Sequence, residues 1–209
     1  MSAPEVPLRL PATERRRQLL EVALDAFSAG GFHGTSMDDI AAAAGVTKPV
    51  LYQHFGSKRA LYVELLDVVG GQLMGVIAKA AAEAHGPHRQ VEAGFRAYFR
   101  HVERHEGAFG LLFGGGTKRD AGFAEQVRLV EGAIAELIAT FIAAKLPAAQ
   151  NLTLAHGIVG MAEATCRHWL RARAAGETTA SADQLADQLA ELAWADAPEA
   201  GRSARRCPL

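Results

Sequence analysis

The chain has only two cysteines in 209 residues, Cys166 and Cys207. That excludes a disulfide scaffold and fits a reducing compartment. Excess positive charge is also missing, since 22 Lys and Arg stand against 23 Asp and Glu. A basic coat for nucleic acid is therefore absent, and any contact with DNA must be local and geometric. No uncharged apolar run reaches the ~18 residues of a membrane span. Pro4, Pro7, Arg9 and Pro11 interrupt the N-terminus where a signal peptide would carry its apolar stretch. β-Branched residues are scarce, with 28 Val, Ile and Thr against 42 Ala. Ala favours helices and branched residues favour strands, which argues against a sandwich or barrel. The expectation is a soluble, cytoplasmic, all-α protein with enough apolar content to bury a core.

What is present is helical periodicity with clear punctuation. Residues 1–12 are Pro-rich and aperiodic, the pattern of a flexible arm. Thr13 is placed to cap a first helix with Leu19, Leu20, Ala23, Ala26 and Phe27 on one face, stopped at Gly30-Gly31. Ser36 with Asp39 forms a capping-box variant at the start of a second helix through Ile40 to Ala44. Gly45 predicts a left-handed turn. Thr47 then caps a third helix over Lys48–His54, with Pro49 in its first turn. Ser57 caps a long fourth helix that runs to about Ala84. Two short helices joined by a tight Gly turn are the geometry of a helix-turn-helix, whose second helix can enter a major groove.

The chemistry of this head points to DNA. Thr35, Ser36 and Thr47 put hydroxyls and free N–H groups at helix N-termini, where phosphate is favoured. Lys58, Tyr52 and His54 are placed as further phosphate donors, contacts that position the protein without reading sequence. Base reading falls to the exposed face of the third helix. There Lys48 can bond guanine, Gln53 can pair with adenine, and Pro49 or Tyr52 can meet a thymine methyl. Arg9 and Arg15–Arg17 are candidates for an arm that reaches a neighbouring groove or the backbone. Capping is the plainer role of Thr13, Ser36, Thr47 and Ser57, with or without DNA.

Residues 15–61 resemble the DNA-binding domain of the TetR family of bacterial regulators. The matching positions begin with Arg16–Leu20, Ala23, Ala26-Phe27, Gly31-Phe32, Thr35–Met37, Ile40-Ala41 and Ala44–Thr47. They continue with Leu51-Tyr52, His54-Phe55, Ser57-Lys58 and Leu61. The resemblance implies a helix-turn-helix domain over residues 13–56 and a helical ligand-binding and dimerisation domain over 57–195. A frayed tail over 196–209 completes an architecture of about nine helices. It implies a regulator, most simply a repressor, that is not an enzyme and needs no cofactor or metal. Such a protein binds a palindromic double-stranded DNA operator as a homodimer and is released by a small, largely apolar effector.

In the body, the penultimate helix has two readable faces. Leu154, Ile158, Met161 and Trp169 make an apolar one, and Thr153, Gly157, Gly160 and Ala164 a small-residue one. Gly inside a helix costs ~1 kcal/mol against Ala, so a packing reason is expected. Gly157, Gly160 and Ala164, with Leu185, Leu189 and Leu192 of the last helix, are the expected four-helix dimer interface. The implied pocket draws on the aromatic concentration in residues 95–123. Its lining is read as Phe95, Tyr98, Phe99, Val102, His105, Phe113, Phe123, Val127, Met161, Thr165 and Cys166, although an aromatic stripe at this spacing is more often core. The loop Gly114–Lys118 reads as a hinge or portal lip. Its glycines are superficially similar to a phosphate loop, but the Gly-Lys-Ser/Thr order and a preceding strand are missing.

Two other readings remain. His101 and His105 lie four residues apart, a legitimate metal-ligand spacing, so a metal-responsive regulator is one alternative. A helical adaptor that does not bind DNA is the other, but it would not need Lys48, Tyr52 and Lys58 at these places.

Overall fold

The computed structural model describes residues 11–114, 117, 120–142 and 146–194. The arm up to residue 10, Gly115, Gly116, Lys118 and the 196–209 tail lie outside the described residues. Among the described residues there are nine helices and no strand. They are α1 (Ala12–Gly34), α2 (Met37–Ala43), α3 (Lys48–His54), α4 (Lys58–Glu83), α5 (Pro87–Arg104), α6 (Glu106–Phe113), α7 (Ala121–Phe141), α8 (Ala148–Ala174) and α9 (Ala182–Trp194). The all-α expectation holds.

The chain forms two compact units. One is built from the residues up to Gly75 with Val102–Ile134, the other from Val76–His101 with the residues from Ala135 onward. In the first unit α1 packs on α2 and α6, and α2 packs on α3. Its centre is a ring cluster in which Phe27, Phe32 and Phe123 all meet Tyr62 with centroids 4.5–5.0 Å apart. The first turns of α4 are thus packed with the head. Gly70 makes close passage of α7 possible, because a Cβ there would lie 2.6 Å from both methyl carbons of Val130.

By length and composition α4 could cross a membrane. It is a core helix instead, since Leu61, Leu65, Leu66, Val69, Leu73, Ile77 and Ala81 are all buried.

The second unit is held by aromatic packing and by ion pairs on its surface. Phe99 meets Tyr98 and Trp169 edge-on at 5.1 and 6.0 Å, and the Trp169 indole N–H donates to the Ala180 carbonyl at 2.8 Å. Arg96 and Arg100 of α5 pair with Asp187 and Asp183 of α9. Ser181 caps α9 by accepting from the Gln184 N–H at 3.2 Å.

Several boundaries differ from expectation for local reasons. α1 starts at Ala12 with Pro11 as its N-cap, so Thr13 lies inside the helix and does not cap it. Gly31 sits at φ +66°, which breaks the helical path before a last turn to Gly34. α5 ends at Arg104, and His105 is the N-cap of α6 with a non-helical φ of −134° and ψ of 49°. His101 and His105 are therefore not on one helical face. No group of three or more metal-ligating side chains occurs among the described residues.

The apolar face expected on α8 is split: Trp169 is buried, Ile158 and Met161 are half-buried and Leu154 is 49% exposed, while Ala155, Ala162, Glu163, Cys166 and Ala172 are also buried. Leu189, expected at the dimer interface, is buried inside its own subunit at 6% exposure, because α9 turns Ala182, Ala186, Leu189 and Ala190 inward.

Candidate DNA interface

The local sequence builds a rigid α2–turn–α3 pair. The Ser36 hydroxyl oxygen accepts from the Asp39 N–H at 3.1 Å, and the Asp39 carboxylate accepts from the Ser36 N–H at 2.8 Å and its hydroxyl at 2.7 Å. These hydrogen bonds hold the Asp39 carboxyl below its ordinary range. At the other end Gly45, at φ +65°, allows the Schellman arrangement: its N–H donates to Ala42 and that of Val46 to Ala41, at 3.1 and 3.0 Å. Thr47 then enters α3 extended, with no side-chain capping bond.

α3 is anchored on one side and open on the other. Leu51 is fully buried, and Phe55 just beyond the helix is 2% exposed. Thr47, Lys48, Pro49, Tyr52 and Gln53 are exposed, Tyr52 at 42%, and His54 is half-buried. The Lys48 ammonium lies 2.8 Å from an Asp38 carboxylate oxygen. That hydrogen bond raises the Lys48 pKa. The Lys58 ammonium stands 4.5 Å over the Phe32 ring.

Two expected contacts are overturned. The Thr35 side chain is buried, and its hydroxyl donates to the Ala26 carbonyl at 3.0 Å, so it is spent on closing the α1–α2 corner. Arg16 faces inward. Its guanidinium forks onto Glu64 at 3.0 and 2.5 Å, donates to the His54 carbonyl, and lies 4.4 Å from the Phe55 ring. Arg17 pairs with Glu21 and Arg15 donates to Gln18.

Sequence reasoning also missed a clamp between α4 and the start of α7. Arg59 forks onto Asp120 at 2.7 and 2.8 Å and stacks 4.4 Å from Phe123. Asp120 in turn accepts from the N–H groups of Gly122 and Phe123 at 2.9 and 3.2 Å. Below it, the Thr117 hydroxyl donates to the Leu111 carbonyl at 2.6 Å, so the Tyr62 hydroxyl donates to Thr117 at 2.9 Å. Thr117, expected in a hinge or portal lip, is buried.

This outward-facing α3, held rigidly from behind, is matched by the comparisons with known proteins. A family model described as bacterial regulatory proteins, tetR family, matches residues 19–65, and one described as tetracyclin repressor-like, C-terminal domain, matches residues 87–196. The chain belongs to the TetR family. Among its relatives, the HTH-type transcriptional activator FasR of Mycolicibacterium smegmatis is 30% identical over 89% of this chain and 84% of its own. The HTH-type regulator RutR of Escherichia coli is 48% identical over 52 residues, which are 25% of this chain and 24% of its own. A TetR-like regulator from Rhodococcus sp. RHA1 superposes with a TM-score of 0.71 at 31% identity, covering 89% of this chain and 97% of that one. The chain is thus a TetR-family DNA-binding transcriptional regulator and not an enzyme.

The other expected site residues fall in both units. Val102, Phe113, Phe123 and Val127 are buried in the first unit, and His105 is exposed there. The faces of Phe123 are taken by Phe32, Tyr62 and Arg59. Phe95, Tyr98, Phe99 and Cys166 are buried in the second unit, with Met161 and Thr165 half-buried. Burial pushes the Tyr98 phenol pKa well up. Nearby on α8, Glu163 is buried and pairs with Arg167 at 2.9 Å. Gly157, Gly160 and Ala164 are exposed, and a Cβ at either glycine would meet open space. Leu192 is 65% exposed and Leu185 half-buried.

Proposed function

We propose that two copies of this chain bind a palindromic operator, repress by occlusion, and are released by a small, largely apolar effector. The observation that carries the reading is the α3 surface: Lys48, Pro49, Tyr52 and Gln53 exposed over a fully buried Leu51. Lys and Gln are the side chains that read guanine and adenine edges, and Tyr52 supplies both a phosphate donor and an apolar ring face. Thr47, His54, Ser36 and Lys58 flank that face as backbone contacts. Occlusion requires only a DNA-bound head, whereas activation requires a polymerase contact as well. The relative FasR is named an activator, so a promoter reporter is read in both directions.

The dimer reading is supported by the open small-residue face at Gly157, Gly160 and Ala164, with the exposed Leu154 and Leu192 and the half-buried Leu185 as apolar supplements. Leu189 is not part of it. The effector reading is supported by the family match over residues 87–196 and by the aromatic residues of α5 and α8 that pack together, Phe99 against Tyr98 and Trp169. Within the second unit Phe95, Tyr98 and Phe99 supply apolar surface, and Thr165, Cys166 and the buried Glu163 supply polar groups to orient a ligand. The covalent path from body to head is α4, which begins four residues after α3 ends. A regulator of bacterial promoters works in the cytoplasm, where the DNA is.

The test is selection from a random-sequence duplex pool, followed by gel shift with wild type and Tyr52→Ala. The wild type enriches a twofold-related sequence, and Tyr52→Ala loses the shift while keeping its sedimentation mass. An intact shift in Tyr52→Ala refutes the contact assignment. Thermal-shift hits from a lipophilic library should release the selected duplex.

A further inference from the structure

We infer that Asp38 is a specificity-determining residue: its ion pair with Lys48 suppresses binding to arbitrary DNA and releases the lysine only where a matching base repays the loss. This rests on the reading of α3 as the base-reading helix.

The first observation is that four of the head's cations are already paired to carboxylates. Residues 1–65 contain seven Lys and Arg and seven Asp and Glu. Arg16 pairs with Glu64, Arg17 with Glu21, Lys48 with Asp38 and Arg59 with Asp120. Affinity for arbitrary DNA comes from cations that displace counterions from phosphates. A cation already paired to a carboxylate carries little net charge to the duplex. Of these four pairs, Lys48–Asp38 alone includes a side chain of α3.

The second observation is that Asp38 is not needed where it stands to cap α2. That role belongs to Asp39, which closes the capping box with Ser36. Asp38 reaches across the Gly45 turn to the first residue of α3, 10 positions on, and both members of the pair stay exposed, with 48% and 65% of their side chains open. An exposed pair of this kind contributes little to folding, so its consequence is on what Lys48 can do. On arbitrary sequence Lys48 either stays paired and gains nothing from the phosphates, or leaves an uncompensated carboxylate beside them. A hydrogen-bonded guanine edge offsets that loss and a wrong base does not.

The test uses the full chain, the duplex it selects from a random pool, and a scrambled duplex of equal length, followed by fluorescence anisotropy across a salt series. One additional phosphate-neutralising cation steepens the dependence of log K on log salt by about 0.9, which is about eightfold in affinity at ~0.1 M salt. Asp38→Asn is expected to tighten the scrambled duplex by about that factor, steepen its salt slope by about one, and tighten the selected duplex less. The ratio of specific to non-specific affinity then falls. Asp38→Glu, which keeps the charge, behaves as wild type. In a Lys48→Met background Asp38→Asn no longer steepens the slope. Unchanged slopes in Asp38→Asn, or equal tightening on both duplexes, overturn the inference while leaving the regulator reading intact. A wild type that selects no sequence overturns both. A carboxylate that only favours the start of α2 would move the melting temperature and neither slope.

Discussion

Replacing Arg16 by Ala separates an arginine that holds the head together from one that holds DNA. The magnitude follows from three contacts. The fork onto Glu64 is partly exposed, with 40% and 31% of the two side chains open, and such a pair is worth at most about 1 kcal/mol. The guanidinium over Phe55 adds about 0.5–1 kcal/mol. The donation to the His54 carbonyl adds about 1 kcal/mol net. These share one side chain and do not add fully, so the expected loss is about 2 kcal/mol. For a chain of this length that is a drop of about 4–8 °C in melting temperature. The His54 carbonyl and the Phe55 ring lie at the end of α3, so the recognition helix loses its rear support. Operator affinity should fall with it, while the salt slope stays that of wild type because no phosphate contact is removed. Arg16→Lys should recover little, since an ammonium cannot fork onto a carboxylate and reach a third acceptor in the same plane. Urea melts and anisotropy titrations over a salt series read both quantities. A variant with wild-type stability and a slope lowered by about one would place Arg16 on the phosphates and refute the keystone role.

Gly70→Ala and Gly71→Ala should move stability in opposite directions. The first drives a methyl to 2.6 Å from Val130 and should cost about 1–3 kcal/mol; the second meets open space and should gain about 0.5–1 kcal/mol from the better helix former. Equal thermal midpoints would remove the close α4–α7 approach from the account. Asp120 gives a prediction in acid. The Arg59 fork, with the Phe123 and Gly122 N–H groups, holds its carboxyl far below the ordinary value, against the opposing effect of burial. A depressed carboxylate stabilises the fold above the unfolded pKa of about 4 and loses that contribution as pH falls through its folded value. Asp120→Asn should therefore be less stable than wild type at neutral pH, and the gap between their urea midpoints should narrow on acidification below about pH 4. A gap constant with pH would show that the Asp120 charge contributes nothing.

The head was legible because its signals are local. Ser36 with Asp39, Gly45, and Thr47 with Pro49 each act within four residues, and the bounds of α3 follow from them. What was not legible depends on distance in the chain. Arg16 sits 38 and 48 residues from its partners, Arg59 sits 61 from Asp120, and no spacing announces either. Thr35 carried the right chemistry for a phosphate, but the Ala26 carbonyl 9 residues earlier claims its hydroxyl. On α8, Leu154 was misread for a different reason. In so Ala-rich a helix the periodicity of large residues is a poor guide, because Ala155, Ala162 and Ala172 are buried and Leu154 is left outside. His105 was carried along by a stripe that α5 had already ended.

The claim that α3 is a reading helix presented in duplicate is tested most directly by methylation interference on the selected duplex with the full chain. Two twofold-related patches of major-groove guanines about one helical turn apart, ~34 Å, are the result this account requires. Interference confined to the minor groove, a single unpaired patch, or none at all would contradict it.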